Sequence, residues 1–293
     1  MTALALVLAA VIVSTQPSKP GILLLAHGGS PAWDNAVRAL ASGVDEQQPT
    51  EVALGMASRP AIQAAVDRLV ARGATAIVAV PLFVSSHSSV VTSTEYLLGL
   101  RTEAPRELAL FAKMKHGTGG HVAHEDDGTV PVRAAVPIRM TSAFDRDSIV
   151  PEILLTRVMA ISRDPSGEAV VLVAHGPVPD DDNRAWLADM AVVAGRLKEA
   201  VPFAAVDYLT VRDDAPAPIR DAATAELRAL VSRRISEGRR VLIVPQVVSY
   251  GGIEAGVRKR LDGLDYAITG QGLLPDDRLV GWVLGKARDG GAR

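Results

Sequence analysis

The 293-residue chain is predicted to be an α/β protein built as two similar doubly wound parallel-sheet domains. Three observations carry this expectation. The run Gly21-Ile-Leu-Leu-Leu-Ala-His27-Gly28 is matched 148 residues later by Ala169-Val-Val-Leu-Val-Ala-His175-Gly176, and Asp34-Asn35 recurs at the same offset as Asp182-Asn183. A second pair follows in the same order, Ala76-Ile-Val-Ala-Val-Pro81-Leu-Phe-Val-Ser85 and Val241-Leu-Ile-Val-Pro245-Gln-Val-Val-Ser249. Between these continuous apolar runs lie helical periodicities, and that alternation means parallel strands covered on both faces, joined by right-handed crossovers.

The elements follow in order. Ala3 to Val13 is an uninterrupted apolar run closed by the polar, breaker-rich stretch from Ser14 to Pro20. It is too short to span a bilayer and has the length of a signal-peptide core, although no cationic segment precedes it. Residues 1–19 are therefore read as a signal-like or tethering segment. An exported, periplasmic or membrane-tethered protein is expected, with a cytoplasmic one as the alternative and any membrane contact confined to this segment. The first domain is placed at 20–115. Its second helix, Pro60 to Arg72, carries Ile62, Ala65, Val66, Leu69 and Val70 at helical spacing and stops at Gly73. Leu108 to Met114 is read as a strand and Lys115 to Gly128 as a loop rich in Gly, His and acidic residues, within a connector at 116–150. Pro151 to Ser162 reads as a helix crossing into the second domain, 151–293, whose own second helix runs from Ile219 to Glu237 and closes at Gly238.

Composition narrows the chemistry. With 48% hydrophobic and 22% charged residues, and 31 basic against 33 acidic side chains, the chain is neither disordered nor a basic nucleic-acid binder. No cysteine is present, which removes disulfides, thiolate nucleophiles, iron–sulfur clusters and cysteine-type zinc sites. Proton and metal chemistry near neutral pH falls to six histidines with the carboxylates.

Ligands in doubly wound folds sit at the carboxyl ends of the parallel strands, and His27, His87 and His175 all fall there. Imidazoles from neighbouring strand ends can converge on a metal, or serve as ligand and base; a hydrogen-bonded turn is the plainer use of each. Gly28-Gly29 and Gly176 let the backbone turn beneath a ligand, and free N–H groups at the next helix start suit a carboxylate. A second cluster, His116, His121 and His124 beside Glu125, Asp126 and Asp127, is a candidate secondary metal loop.

Leu-Leu-Leu-Ala-His27-Gly-Gly-Ser, then Glu51-Val-Ala-Leu-Gly-Met-Ala-Ser-Arg-Pro60-Ala-Ile, then Val80-Pro81-Leu-Phe-Val-Ser-Ser-His87 resemble, in order and spacing, the sirohydrochlorin cobaltochelatase and ferrochelatase family, the class II tetrapyrrole chelatases. The second half resembles the same unit again, giving a tandem-repeat long form. The resemblance implies two chelatase-like domains that insert Co²⁺ or Fe²⁺ into sirohydrochlorin or a related tetrapyrrole, as in cobalamin biosynthesis, with the divalent metal as substrate and no organic cofactor. It implies His27 and His87 as the catalytic metal-binding and proton-accepting pair. The chain departs from the family at Met56 and Ser89, where glutamates are usual, and Gly251-Gly252 stands where a second-half counterpart of His87 would align. A composite metal site of His27, His87, His175 and Glu254 is expected, although a helix-start role is the plainer use of Glu254. Substrate contacts are expected from Gly28, Gly29, Ser85, Ser86, Ser89 and Arg59, with Arg139, Arg258 and Lys259 as further donors to substrate carboxylates.

Rival readings fail on named residues. Histidine phosphatases carry Arg just before the His, where Ala26 and Ala174 stand here, and no Gly-x-Ser-x-Gly nucleophile elbow of an α/β-hydrolase exists. A non-catalytic divalent-metal or tetrapyrrole-binding protein of the chelatase fold remains as the alternative, favoured by the missing glutamates.

Overall fold

The computed structural model describes residues 19–114 and 128–289. The first apolar run forms β1 (Pro20–Ala26), flanked in parallel by β2 (Thr50–Leu54) and β3 (Ala76–Pro81), with β4 (Ile138–Met140) beyond, in the order β2-β1-β3-β4. The second half repeats this with β5 (Glu168–Ala174), β6 (Ala205–Thr210), β7 (Arg240–Pro245) and β8 (Ala267–Ile268) in the order β6-β5-β7-β8. Registers agree as well: Ala26 pairs with Leu54 and Leu25 with Pro81, as Ala174 pairs with Thr210 and Val173 with Pro245. The strand Ile138–Met140, inside the region expected to be connector, is thus the fourth strand of the first sheet.

The helices are α1 (Pro31–Asp45), α2 (Arg59–Ala71), α3 (Ser89–Leu97), α4 (Leu108–Phe111), α5 (Ile149–Met159), α6 (Asp180–Ala200), α7 (Ala217–Ser236), α8 (Ile253–Arg260) and α9 (Arg278–Asp289). The expected helices at 60–72, 151–162 and 219–237 are α2, α5 and α7, with ends displaced by a few residues. One element differs. Leu108–Met114, expected as a strand, begins as the helical turn α4: Phe111 N–H donates to the Glu107 carbonyl, and the buried pair Leu108 and Phe111 is spaced by three while Leu110 points outward. That is a helical period rather than alternation.

Strand side chains divide by their two-residue period. In the first sheet Leu23, Leu25, Ile77 and Ala79 face an outer layer of α2, α3 and α4, whereas Ile22, Leu24, Val78 and Val80 face inward. The second sheet does the same, with Val171, Val173, Val241 and Ile243 toward α7 and α8, and Val170, Leu172, Leu242 and Val244 inward. Both inward faces belong to one continuous core. The helices that close it are exchanged: α5 follows the first sheet but packs on α6 and β7, while α9 follows the second sheet and packs on α1 and β3. Phe144 and Trp282 stack across this exchange, ring centroids 4.4 Å apart.

Equivalent hydrogen bonds align the halves more finely than the sequence match does. Asp34 N–H donates to the carbonyl of Ser30, the N-cap of α1, and Asn183 N–H donates to that of Pro179, the N-cap of α6. At the caps Asp34 takes the place of Asn183, one position on from the expected Asp182, because the loop before α6 is one residue longer. Further along, α6 has 21 residues to the 15 of α1 and the buried faces align one turn on: Trp33, Val37, Leu40, Ala41 and Val44 match Trp186, Met190, Val193, Ala194 and Leu197, so that Ala36 matches Asp189.

Leu279 of α9 is fully buried in the shared core. Leu279→Ala is expected to cost about 2–5 kcal/mol, and because α9 bridges the halves, denaturant unfolding followed by separate probes in each half should move together.

Candidate active site at the strand ends

His27 is the first residue beyond β1, His175 the first beyond β5, and His87 lies in the loop from β3 to α3. Parallel strands put all three at the carboxyl edges of their sheets. The turn that carries each strand-end histidine needs a left-handed glycine: Gly28 has φ +77° and Gly176 φ +73°. At Gly176 a Cβ would also lie 2.5 Å from the Thr210 Cβ, so that residue has no steric alternative.

The His27 ring is exposed, meets the edge of Trp33 at 5.7 Å, and places Nδ1 2.6 Å from the Gly28 carbonyl. A carbonyl accepts, so Nδ1 holds the proton and Nε2 presents its lone pair outward. His175 is bound differently. Its Nδ1 lies 2.8 Å from the Gly176 carbonyl and its Nε2 3.2 Å from Asp214 Oδ2, so both ring nitrogens face acceptors. Burial pulls the His175 pKa down, but the Asp214 hydrogen bond and charge, with Asp213 and the Gly176 carbonyl, outweigh it and hold the pKa above the ordinary 6.5. Asp214 is held below the usual carboxylate value by its hydrogen bond to His175, against partial burial, and the His27 imidazole lowers it further from across the gap. His175, expected as a metal ligand, is paired with Asp214 at Nε2 and with the Gly176 carbonyl at Nδ1.

The His87 loop is fixed through its backbone. His87 N–H donates to Ser85 Oγ at 3.1 Å, and Ser86 donates from N and Oγ to the Asp145 carboxylate at 2.5 and 2.8 Å. The His87 carbonyl accepts from Trp186 Nε1 of the other half at 2.7 Å, and its ring is exposed. Ser85 and Ser86, expected as substrate contacts, thus shape this loop, and Ser89 opens α3.

Other expected residues take local roles. Gly29 N–H donates to Asp34 Oδ1 at 2.9 Å and is not available to a carboxylate. Glu254 Oε2 accepts from Gly252 N–H at 3.2 Å, tying the start of α8 to itself. Arg139 Nη2 donates to the Ala287 carbonyl at 2.7 Å and joins β4 to α9. Arg258 and Lys259 are in the last turn of α8, which runs back from the strand carboxyl ends, whereas Arg59 is the first residue of α2, at the correct end. His116, His121 and His124 lie outside the described residues. Among the described residues no three His, Asp or Glu side chains gather closely enough to hold a metal, so His27, His87, His175 and Glu254 do not form a closed ligand shell. The sequence reading missed Asp214. Its signal was Asp213-Asp214 just past β6, the counterpart of the Met56 region past β2.

With this geometry in view, comparison with known proteins is informative. Residues 21–160 match the family model described as CbiX. No curated protein sequence matches the chain significantly. Among solved structures, SirB from Bacillus subtilis with Fe³⁺ is 18% identical, with a TM-score of 0.63 over 94% of this chain and 96% of that one. The sirohydrochlorin chelatase SirB from Bacillus subtilis subspecies spizizenii, in complex with cobalt, is 16% identical, with a TM-score of 0.58 over 92% and 94%. CbiX described as the terminal enzyme for biosynthesis of siroheme in denitrifying bacteria is 17% identical, with a TM-score of 0.55 over 93% and all of that chain. At these identities the shared property is the fold, and it spans both halves of the chain.

The His175–Asp214 pair predicts a pH response. A raised His175 pKa stabilises the fold fully below 6.5 and loses that contribution as pH rises through the folded value. The lowered Asp214 contributes above 3.8 and loses its effect as pH falls through its depressed value. Asp214→Asn should therefore lower the His175 titration midpoint seen by NMR, lower the stability plateau between pH 3.8 and 6.5, and remove the pH-dependent losses on either side of it; an unmoved midpoint refutes the pairing. Gly176→Ala should destabilise by more than about 1 kcal/mol, and by more than Gly28→Ala, whose added Cβ meets only ordinary contacts, as thermal unfolding would show.

Proposed function

We propose that the protein is a metal chelatase that inserts a divalent ion, Co²⁺ or Fe²⁺, into sirohydrochlorin or a related tetrapyrrole. The observation that carries this is the paired placement at the strand ends: exposed imidazoles of His27 and His87 on one sheet, opposed by the His175–Asp214 pair of the other. Metallation brings in one divalent cation and releases two pyrrole N–H protons, so the site must present a loosely held metal and receive protons. His27 suits this step, because Nδ1 is tied to the Gly28 carbonyl and the Nε2 lone pair points outward, able to ligate or to accept a proton. His87 supplies the second imidazole from a loop whose backbone is fixed while its ring stays exposed. Ionised Asp214 provides the carboxylate that neither Met56 nor Ser89 can, and it does so from the opposite half. Arg59, at the start of α2, is the best placed of the expected cations for a substrate carboxylate.

One observation favours the non-catalytic alternative, binding of metal or tetrapyrrole without turnover: no three ligands are gathered among the described residues. The two readings separate in one assay. Purified protein should accelerate the cobalt-dependent spectral change of sirohydrochlorin above the uncatalysed rate, and His27→Ala and His87→Ala should each lower that acceleration by about a hundredfold or more. Metal binding with no acceleration selects the binding protein, and wild-type cobalt affinity in both variants refutes the assignment of the imidazoles.

A further inference from the structure

The halves agree in fold but not in what α1 and α6 present to the interior. The buried faces align Trp33 of α1 with Trp186 of α6 and Ala36 with Asp189. Trp33 Nε1 is buried without a hydrogen-bond partner, and Ala36 packs against the shared core. A fold that accepts an unbonded indole N–H and an alanine at these positions has no need of a bonded indole or a carboxylate there. Both polar groups turn toward the first half. Trp186, nearly buried, donates from Nε1 to the His87 carbonyl at 2.7 Å, across a sequence separation of 99 residues. Asp189, one turn on, has a side chain only 14% exposed, and Oδ2 is buried with no hydrogen-bond partner. Its other oxygen is 3.9 Å from the largely exposed Arg146 Nε, too long and too solvated to account for the burial. Asp189 also lies within electrostatic reach of His87 and of Asp145, the residue that grips Ser86. Burial and the charge of Asp145 push its pKa up, while His87 and Arg146 oppose the rise. Retaining a carboxylate in so unfavourable a place is costly unless something cationic visits it.

We propose that α6 of the second half is the support of His87, with Trp186 fixing the backbone of its loop and Asp189 supplying the negative charge that a divalent cation at His87 requires. Both are positioning residues. The charge stands in for the glutamate absent at Ser89 and arrives from the other half of the chain. This rests on the reading of His87 as a metal-binding residue.

The test is a set of variants read by cobalt affinity and thermal stability. Asp189→Leu replaces the buried carboxylate with an apolar side chain, so it should raise the melting temperature while weakening Co²⁺ binding at low ionic strength about fivefold or more. A purely structural Asp189 would lose stability when replaced, and an inert one would gain stability with affinity unchanged; either result overturns the proposal. Asp189→Asn, which keeps the volume, should weaken Co²⁺ binding in the same way. Trp186→Phe keeps the ring and removes the donor. It should change the rate at which diethylpyrocarbonate modifies His87, mapped by mass spectrometry on metal-free protein, and leave the rate at His27 unaltered. Equal changes at both histidines, or none at His87, refute the role of Trp186. His87→Ala separates the two levels: unchanged Co²⁺ affinity in that variant overturns the metal-binding reading, whereas weakened affinity there with wild-type affinity in Asp189→Leu overturns the support alone.

Discussion

The exchange of α5 and α9 is the constraint on which the rest of the structure depends. Each sheet buries its outer face against helices of its own half, but its inner face is shared between its own α1 or α6 and a helix that belongs in sequence to the opposite half. A single apolar core then runs from Val80 through Leu279 and Ile153 to Val244. Hydrophobic burial of this kind is non-directional, yet here it fixes direction, because the two sheets must present their inner faces to the same helices. The strand ends that bear His27, His87 and His175 inherit their mutual placement from that core.

Chemistry divides between the halves along the same line. His27 keeps an outward lone pair because its one structural hydrogen bond is to a carbonyl at Nδ1, whereas His175 has an acceptor at each nitrogen and its pKa is raised. The repeated His-Gly therefore marks one turn with two electrostatic outcomes, and the difference is made by Asp214, a residue of the loop after β6. Arg212 holds the neighbouring turn, donating to the Pro177 carbonyl and to Asp180. The second half is thus braced by ion pairs where the first presents exposed rings.

Much of the fold was legible in the residues because burial on both faces of β1, β3, β5 and β7 leaves continuous apolar runs that few other structures tolerate. The short strand Ile138–Met140 was not legible, since three half-buried residues carry no period, and α4 was misread because an apolar stretch of that length fits either strand or helix. The strand-end histidines could be read from the repeat. Asp214 could not, because its partner His175 lies 39 residues away on a neighbouring strand end; Trp186 and Asp189 could not, because each faces groups of the first half, and the exchange of helices leaves no mark in local pattern. Ser85, Ser86 and Gly29 also serve the loops that carry them, a use the pattern did not separate from substrate contact, because small polar residues beside a candidate ligand often satisfy the loop itself.

Seen without its covalent link, the molecule is a two-fold pair of equal units that trade their last helices, with residues 160–167 joining α5 to β5. In a symmetric dimer every substitution would appear twice, and a carboxylate acquired in one interface would be acquired in the other. The link removes that obligation. Ala36 and Asp189, His87 and Gly251 are differences that an assembly of identical subunits could not hold, and a covalent link between the two halves permits them.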